Sequence, residues 1–341
     1  MQSVIQLKRS NAVRLAAAML IVAVTFTIAA IGAGTAKAAP AKLSDGVLTI
    51  TGTNERNAIA LRLKPAHPGI VQVDFGSDGR ADFSFKRARI DKIVVHARGG
   101  ADTARIDEVN GVFTDTIPTT ISGEDGADTL LGGSGAEILR GGDGADSLDA
   151  NVGSDRAVLG AGDDVFIWDP GDGSDVVQGQ DGADTMRFNG ADVAEQVELS
   201  ANGSRLKFFR TQGAITMDTA GIERVDFNAL GGADLVTVND LTGTDVNAVN
   251  VELAGSLGGI TGDGAADRIV VNATNGVDTI FVDGNADSLN VIGLAAAVQI
   301  RRSEVANDRL DINTLAGNDR VDPDGLEIGA IQLFVDGLLV S

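Results

Sequence analysis

The sequence predicts an all-β protein whose middle part is a solenoid of short stacked strands. The main observation is a nine-residue repeat that runs without interruption from residue 123 to residue 167. Composition agrees, because 44 of the 341 residues are glycine, only 4% are aromatic and there is no tyrosine. A core built from Val, Ile, Leu and Ala suits thin stacked strands better than a packed globule.

Each repeat unit combines glycine, an acid and an apolar residue at fixed places. The five units read GEDGADTLL, GGSGAEILR, GGDGADSLD, ANVGSDRAV and LGAGDDVFI, with glycine fourth, the acid sixth and the apolar residue eighth. After an insertion of two residues, Trp168-Asp169, two more units read PGDGSDVVQ and GQDGADTMR. In a three-residue strand only the middle side chain points inward, which explains the apolar eighth place.

Two units complete one coil, so successive acids alternate between two faces of the predicted solenoid. One face carries Asp128, Asp146, Asp164 and Asp184, and the other carries Glu137, Asp155 and Asp175. Adjacent coils lie about 4.8 Å apart, where stacked carboxylates repel by roughly 1 to 3 kcal/mol per pair. Glycine turns with φ above zero are expected to aim carbonyl oxygens into the same gap. An oxygen-lined gap of this size suits Ca²⁺ better than Mg²⁺.

Residues 123–187 resemble the repeats-in-toxin, or haemolysin-type calcium-binding, nonapeptide G-G-x-G-x-D-x-U-x. The closest matches are GGSG at 132–135 and GGDGAD at 141–146. The resemblance implies a parallel β-roll in which the sixth-place aspartate and the carbonyls of the glycine turn hold calcium. Carried over, it implies metal ligands at Asp128, Asp146, Asp155, Asp164, Asp175 and Asp184 and at the turns of Gly126, Gly135, Gly144, Gly162, Gly173 and Gly182.

Two units depart from this pattern. Glu137 replaces the aspartate, and its extra methylene should displace the carboxylate. The unit at 150–158 lacks the leading glycines, although Asn151 can adopt a left-handed backbone. We therefore expect weaker calcium binding on the face that carries Glu137 and Asp155. A flexible glycine-rich linker is the alternative, but a linker has no reason to keep acid and leucine in register.

The pattern divides the chain into four parts. Residues 1–38 read as a secretory signal peptide, 39–121 as an N-terminal β region, 122–190 as the calcium-binding β-roll, and 191–341 as a degenerate β-repeat region. Short alternating strands separated by turns characterise the second part. In the fourth part apolar runs recur, and several follow an acid by two places, which favours a looser β-solenoid.

The first segment combines three cations, an apolar run over 15–33 and the small-x-small sequence Ala36-Lys37-Ala38, which is typical of a signal peptide. A membrane anchor is the alternative reading, since the run is about long enough to span. Cleavage favours a secreted, extracellular protein with no remaining membrane span. It would leave 23 cations against 48 acidic residues, a net charge of −25 that excludes nucleic acid as a partner.

No catalytic site and no organic cofactor are predicted. The chain has no cysteine, two histidines, no H-E-x-x-H and no G-x-S-x-G. We expect a non-enzymatic, secreted calcium-binding repeat protein that folds on calcium and has a structural or interaction role. Two alternatives stay open: a cell-surface adhesin that binds an extracellular glycan or surface, and a calcium-assisted polysaccharide lyase or epimerase.

Overall fold

The computed structural model describes residues 41–340, so the predicted signal peptide at residues 1–38 lies outside the described residues. The described chain forms 29 β-strands in two sheets, one of 15 strands and one of 14. Its helical elements are two short 3₁₀ turns, Arg87–Arg89 and Gln212–Ala214. The protein is therefore all-β, and most neighbouring strands are parallel.

Seven strands precede the repeat. They are β1 (Ala41–Ser44), β2 (Val47–Thr51), β3 (Ala58–Lys64), β4 (His67–Phe75), β5 (Phe83–Lys86), β6 (Lys92–Gly99) and β7 (Thr103–Asp107). Strands β3, β4 and β5 form an antiparallel meander, and the turn at 76–79 joins its last two strands. Strands β2 and β6 pair in parallel in the first sheet, and β3 and β7 do so in the second.

The repeat forms eight strands that alternate between the sheets. They are β8 (Thr119–Asp125), β9 (Thr129–Leu131), β10 (Ile138–Asp143), β11 (Ser147–Asp149), β12 (Arg156–Ala161), β13 (Val165–Trp168), β14 (Val176–Asp181) and β15 (Thr185–Asn189). Even-numbered strands join the first sheet and odd-numbered strands the second. Leu130 lies opposite Leu148, 18 residues on, whereas Phe166 lies opposite Met186 because the coil between them contains the insertion. This is the parallel β-roll that the repeat predicts.

The two sheets of the roll use strands of different length. Strands β9 and β11 have three residues, as expected, but β10 and β12 have six. The longer strands differ from the prediction because the extended backbone continues into the first places of the next unit. This continuation creates a second inward position in the first sheet, which Leu159 fills in β12.

The core of the roll is the column of eighth-place side chains. All seven are fully buried: Leu130, Leu139, Leu148, Ala157, Phe166, Val177 and Met186. The insertion places the indole of Trp168 inside, where it lies 4.6 Å from the ring of Phe188. Phe188 in turn stacks on Phe227 at 5.2 Å, so an aromatic cluster continues the core beyond the roll.

Fourteen strands follow the repeat. They are β16 (Gln196–Asn202), β17 (Arg205–Arg210), β18 (Ile215–Ala220), β19 (Arg224–Asn228), β20 (Leu235–Val238), β21 (Ala248–Glu252), β22 (Arg268–Asn272), β23 (Thr279–Asn285), β24 (Ser288–Ile292), β25 (Ala297–Arg301), β26 (Arg309–Asn313), β27 (Arg320–Leu326), β28 (Gln332–Val335) and β29 (Leu338–Leu339). Parallel pairs such as β20–β22–β26–β28 continue the solenoid, and antiparallel strands β17 and β24 are inserted into it. Both sheets run unbroken from the N-terminal strands through the roll.

Candidate metal centre

Each sixth-place acid lies immediately before a strand, where the chain enters the sheet. Asp146 shows the arrangement, since it precedes β11 and its carbonyl accepts the N–H of Val165 at 2.9 Å. Its own N–H donates to Oδ1 of Asp164 at 2.7 Å. Its Oδ1 accepts the N–H of Asp128, also at 2.7 Å. Each aspartate thus connects three successive coils.

These hydrogen bonds form a continuous series along one edge of the roll, which we call the first acid ladder. Its members are Asp102, Asp128, Asp146, Asp164 and Asp184, joined by N–H to Oδ1 bonds of 2.7–3.0 Å. The ladder ends at polar groups, because Asn57 donates its N–H to Asp102 and Asp184 donates its N–H to Glu223. It brings together the four aspartates that the sequence places on this face and adds Asp102.

The opposite edge carries a shorter series, the second acid ladder, made of Glu137, Asp155 and Asp175. The N–H of Glu137 donates to Oδ1 of Asp155 at 2.6 Å, and the N–H of Asp155 donates to Oδ1 of Asp175 at 2.8 Å. The carboxylate of Glu137 turns back instead and accepts the N–H of Gly133 in its own turn at 3.1 Å. Its longer side chain therefore lies differently from the aspartates of the same ladder.

The second oxygen of these carboxylates is the main chemical feature of both edges. Oδ2 is buried and has no hydrogen-bond partner in all six aspartates predicted as ligands, namely Asp128, Asp146, Asp155, Asp164, Asp175 and Asp184. The same holds for Oδ2 of Asp102 and Oε1 of Glu137. A buried, unpaired carboxylate oxygen is strongly unfavourable unless it is protonated or bound by a cation.

Proton affinities reflect this environment. Burial raises the pKa of Asp146 to about 7; the N–H of Asp128 lowers it in part, and the charges of Asp164 and Asp128 raise it further. Burial likewise raises the pKa of Asp155 to about 8, again opposed by one backbone hydrogen bond and supported by neighbouring acids. Burial is also the largest cause of the raised pKa values, about 6, of three further aspartates: Asp164, Asp175 and Asp184. In the absence of a cation, each of these five carboxylates therefore binds a proton at a higher pH than an ordinary aspartate does.

Backbone carbonyls line the gaps between the turns. A methyl group built on Gly144 would overlap with the carbonyl oxygen of Gly126, and one built on Gly162 would overlap with that of Gly144. Along this edge the turn glycines have left-handed φ values of 127–145°, at Gly126, Gly144, Gly162 and Gly182. Only glycine allows such close stacking of turns at this φ.

The turns of the second edge stack in a similar way, although their glycines have a different backbone conformation. Gly135 and Gly173 do not have left-handed φ values, contrary to the expectation for every turn. A methyl group on Gly135 would nevertheless overlap with the carbonyl oxygen of Thr114, and one on Gly173 with that of Gly153. Carbonyl oxygens thus lie against the next turn on both edges, although only the first edge requires left-handed glycine.

The donor set consists of oxygen atoms. Within residues 41–340, no three His, Cys, Asp or Glu side chains are grouped so that they could hold a metal ion. Backbone carbonyls must therefore complete any site that begins with the unpaired Oδ2 atoms. Carboxylates together with carbonyls are the ligands that Ca²⁺ prefers, so the residues present fit calcium.

Comparison with known families agrees with this geometry. The family model described as "RTX calcium-binding nonapeptide repeat (4 copies)" matches residues 120–136, 131–166 and 171–192. These ranges contain all twelve predicted ligand positions and leave out the insertion at Trp168-Asp169. No curated protein sequence shows a significant match to the chain. The chain therefore carries RTX, or haemolysin-type, calcium-binding nonapeptide repeats between residues 120 and 192.

Proposed function

We propose that this calcium-binding repeat protein is secreted, and that its roll, residues 122–190, becomes fully ordered only when calcium binds. The observation that carries the proposal is the row of buried Oδ2 atoms without a partner. Calcium between successive turns would satisfy these oxygens and remove the repulsion between stacked carboxylates. Its binding free energy would then add directly to the free energy of folding.

The assignment of ligands is part of this proposal. The side-chain ligands are Asp128, Asp146, Asp155, Asp164, Asp175 and Asp184, and the carbonyl ligands come from the turns of Gly126, Gly135, Gly144, Gly162, Gly173 and Gly182. The chain's own residues hold the ion, orient the carbonyls and exclude water from the gap. The divalent ion supplies the positive charge that the aspartates of both ladders otherwise lack.

Extracellular export suits such a protein. Calcium modules that act outside cells typically bind at about 10⁻⁴ to 10⁻³ M, so the roll would stay open in a low-calcium cytosol and close after export. The signal-peptide pattern of residues 1–38 supports this route. Within residues 41–340 there is no helix whose length and apolar character would let it cross a membrane.

The role that we propose is structural or interactive, without catalysis. The β regions at 39–121 and 191–341 would hold the ends of the roll and present an extracellular surface to a glycan or another surface partner. The two histidines support this assignment, since His67 contacts the carbonyl of Pro65 and exposed His96 contacts Glu124. Neither contact resembles the activation of a nucleophile.

Circular dichroism during a calcium titration of the purified protein tests the proposal. The β-sheet signal should rise with calcium and fall again on addition of EDTA, with a midpoint near extracellular calcium concentrations. Magnesium at the same concentration serves as the control, because it prefers fewer and closer ligands. A spectrum that responds to neither calcium nor EDTA would contradict calcium-dependent folding.

A further inference from the structure

The two sheets have open edges at both ends of the described solenoid. Within residues 41–340, the outermost strands are β1 and β5 at one end, which we call the N-terminal end, and β29 and β27 at the other, the C-terminal end. Each of these four strands has one hydrogen-bonded neighbour in its sheet. Its other edge is therefore a template on which a further strand can pair.

The C-terminal end exposes apolar surface. Four large apolar side chains there have exposed fractions between 59 and 95%, namely Leu315, Ile328, Leu338 and Leu339. An open cleft of about 440 Å³ lies at the same end, and its lining includes Leu315, Val321, Val335 and Val340. Repeat proteins normally protect their ends with units that have a polar outer face, and exposed apolar surface commonly marks a site of protein interaction.

The N-terminal end offers an apolar edge of its own. Strands β1 and β5 both alternate between half-buried and exposed side chains. The half-buried ones pack against the core and are Ala41, Leu43, Phe83 and Phe85. They remain partly exposed because, within the described chain, no further strand covers them.

The two ends differ in the sign of their charge. Residues 41–107, which form β1 to β7, contain eleven Lys and Arg against eight Asp and Glu, a net charge of +3. Residues 314–340, which contain β27 to β29, have one arginine against five acids, a net charge of −4. The N-terminal end is therefore positive in a protein that is otherwise strongly acidic.

Several of these charges are not neutralised within the described chain. Lys42, Lys86 and Arg89 are exposed at the N-terminal end, and none of them forms an ion pair with an acid of residues 41–340. At the C-terminal end, Asp324 and Glu327 are exposed and form no ion pair with a base of the same residues. These charges are available to a partner.

The directions of the outermost strands also match. In the first sheet, β1 and β29 both run antiparallel to the solenoid strands beside them. In the second sheet, β5 has the direction of β3, and β27 has the direction of β21, because two antiparallel pairings intervene on each side. A C-terminal end can therefore add to an N-terminal end with parallel pairing in both sheets, as most neighbouring strands of the solenoid pair.

We propose that the protein associates head to tail with further copies of itself, the C-terminal end of one chain against the N-terminal end of the next. Strand β29 then lies beside β1 of the next copy, and β27 beside β5, so both sheets continue across the contact. Opposite charges select this arrangement, since two like ends would bring charges of the same sign together. Pro323 lacks an N–H, so β27 forms fewer of the new hydrogen bonds.

Such a contact joins two different surfaces, so it can add copies without limit unless the assembly closes into a ring. Sedimentation velocity of the purified protein at a series of concentrations, in the presence of calcium, tests this. The average mass should rise with protein concentration beyond that of two chains. It should fall when salt is added, because salt screens exposed charges. The residues concerned lie outside the roll, so this result is separate from the calcium titration by circular dichroism.

Reversing the charge of one end should weaken the association. The variant Lys86→Glu with Arg89→Glu makes both ends negative, and the variant Asp324→Lys with Glu327→Lys makes both ends more positive. Each variant alone should associate at least about tenfold more weakly than the unchanged protein. An equal mixture of the two should associate again, because opposite charges then meet at every contact.

The matched control is Arg140→Glu with Lys207→Glu, which reverses two exposed cations on β10 and β17, inside the first sheet and away from its outer strands. This control should associate like the unchanged protein, and circular dichroism should show that all variants are folded. A mass of one chain at every concentration, or a mass that stops at two chains, would overturn the proposal. Association that both end variants leave unchanged would overturn it as well.

Discussion

The N–H of Asp128 donates to Oδ1 of Asp146 one coil away, and Oδ2 of Asp146 stays buried without a partner. The two oxygens of one carboxylate therefore have separate roles. Oδ1 fixes the distance between neighbouring coils, and Oδ2 remains free to bind an ion in the gap. Because the backbone hydrogen bond orients the carboxylate in advance, little side-chain entropy is lost when a cation arrives.

This division of roles predicts unequal effects of charge removal on the two edges. Asp146→Asn should lower calcium affinity by about tenfold or more, which is about 1.4 kcal/mol, because the amide keeps the Oδ1 acceptor but loses the charge. Glu137→Gln should have a smaller effect, since that carboxylate already accepts the N–H of Gly133. Calorimetric titration measures both affinities, and equal losses would contradict the stronger role of the first edge.

Calcium affinity should fall as the pH is lowered from 8 to 6. The pKa of Asp155 is about 8 and that of Asp146 about 7, so both carboxylates gain protons across this interval. Calcium needs the ionised carboxylates and must displace these protons. Titrations at pH 7 in buffers of different ionisation enthalpy should reveal proton release. A binding enthalpy that is independent of the buffer would contradict this linkage.

The stability of the calcium-free fold should depend on pH in the opposite direction. These aspartates have folded-state pKa values of about 6 to 8 against about 3.8 when unfolded, so the folded state binds more protons between these limits. Stability then falls as the pH rises through the folded pKa values. In EDTA, urea unfolding should therefore show a higher midpoint at pH 5 than at pH 8. Saturating calcium should reduce this difference, which provides the control.

The sequence predicts the roll well because its period is constant. One inward residue and one acid recur every nine residues, so Leu148 and Asp146 could be assigned to the core and to the edge from spacing alone. The aromatic contact of Trp168 with Phe188 could not be predicted this way, because the insertion interrupts the period. The sequence does not predict the six-residue strands of the first sheet either, because only pairing with neighbouring strands extends them.

The acids that precede strands β16, β20, β22 and β26 are harder to predict, because their spacing along the chain is not constant. They are Glu195, Asp234, Asp267 and Asp308. Asp234 and Asp267 are visible as acids two places before an apolar residue, and so is Asp287. Only the first two are joined by a hydrogen bond between coils, whereas exposed Asp287 lies in the hairpin turn between β23 and β24 and pairs with Arg302. Hairpins of different length change the number of residues per coil, so spacing no longer identifies which acids stack.

Because the turns stack closely, the stability of the protein should be sensitive to substitution of Gly144. Gly144→Ala would place a methyl group against the carbonyl of Gly126 at a φ of 142°. Gly171→Ala is the matched control, because Gly171 has a φ of 121° but no atom near its missing side chain. The control should lose about 1–2 kcal/mol through backbone strain, and Gly144→Ala about 1–3 kcal/mol more through overlap. Urea unfolding in saturating calcium measures both losses, and equal values would show that overlap is unimportant.

Arg210 neutralises the buried carboxylate of Glu195, as we propose that calcium neutralises the buried aspartates of the roll. Its Nε and Nη2 donate to the two oxygens of Glu195 at 2.6 and 2.8 Å, and both side chains are largely buried. Arg210→Gln should therefore destabilise the protein by about 3–5 kcal/mol, because it leaves a buried carboxylate uncompensated. Adding Glu195→Gln to this variant should restore much of the loss, since it removes the unpaired charge. Urea unfolding of the two single variants and the double variant forms the cycle, and additive losses would contradict the pairing.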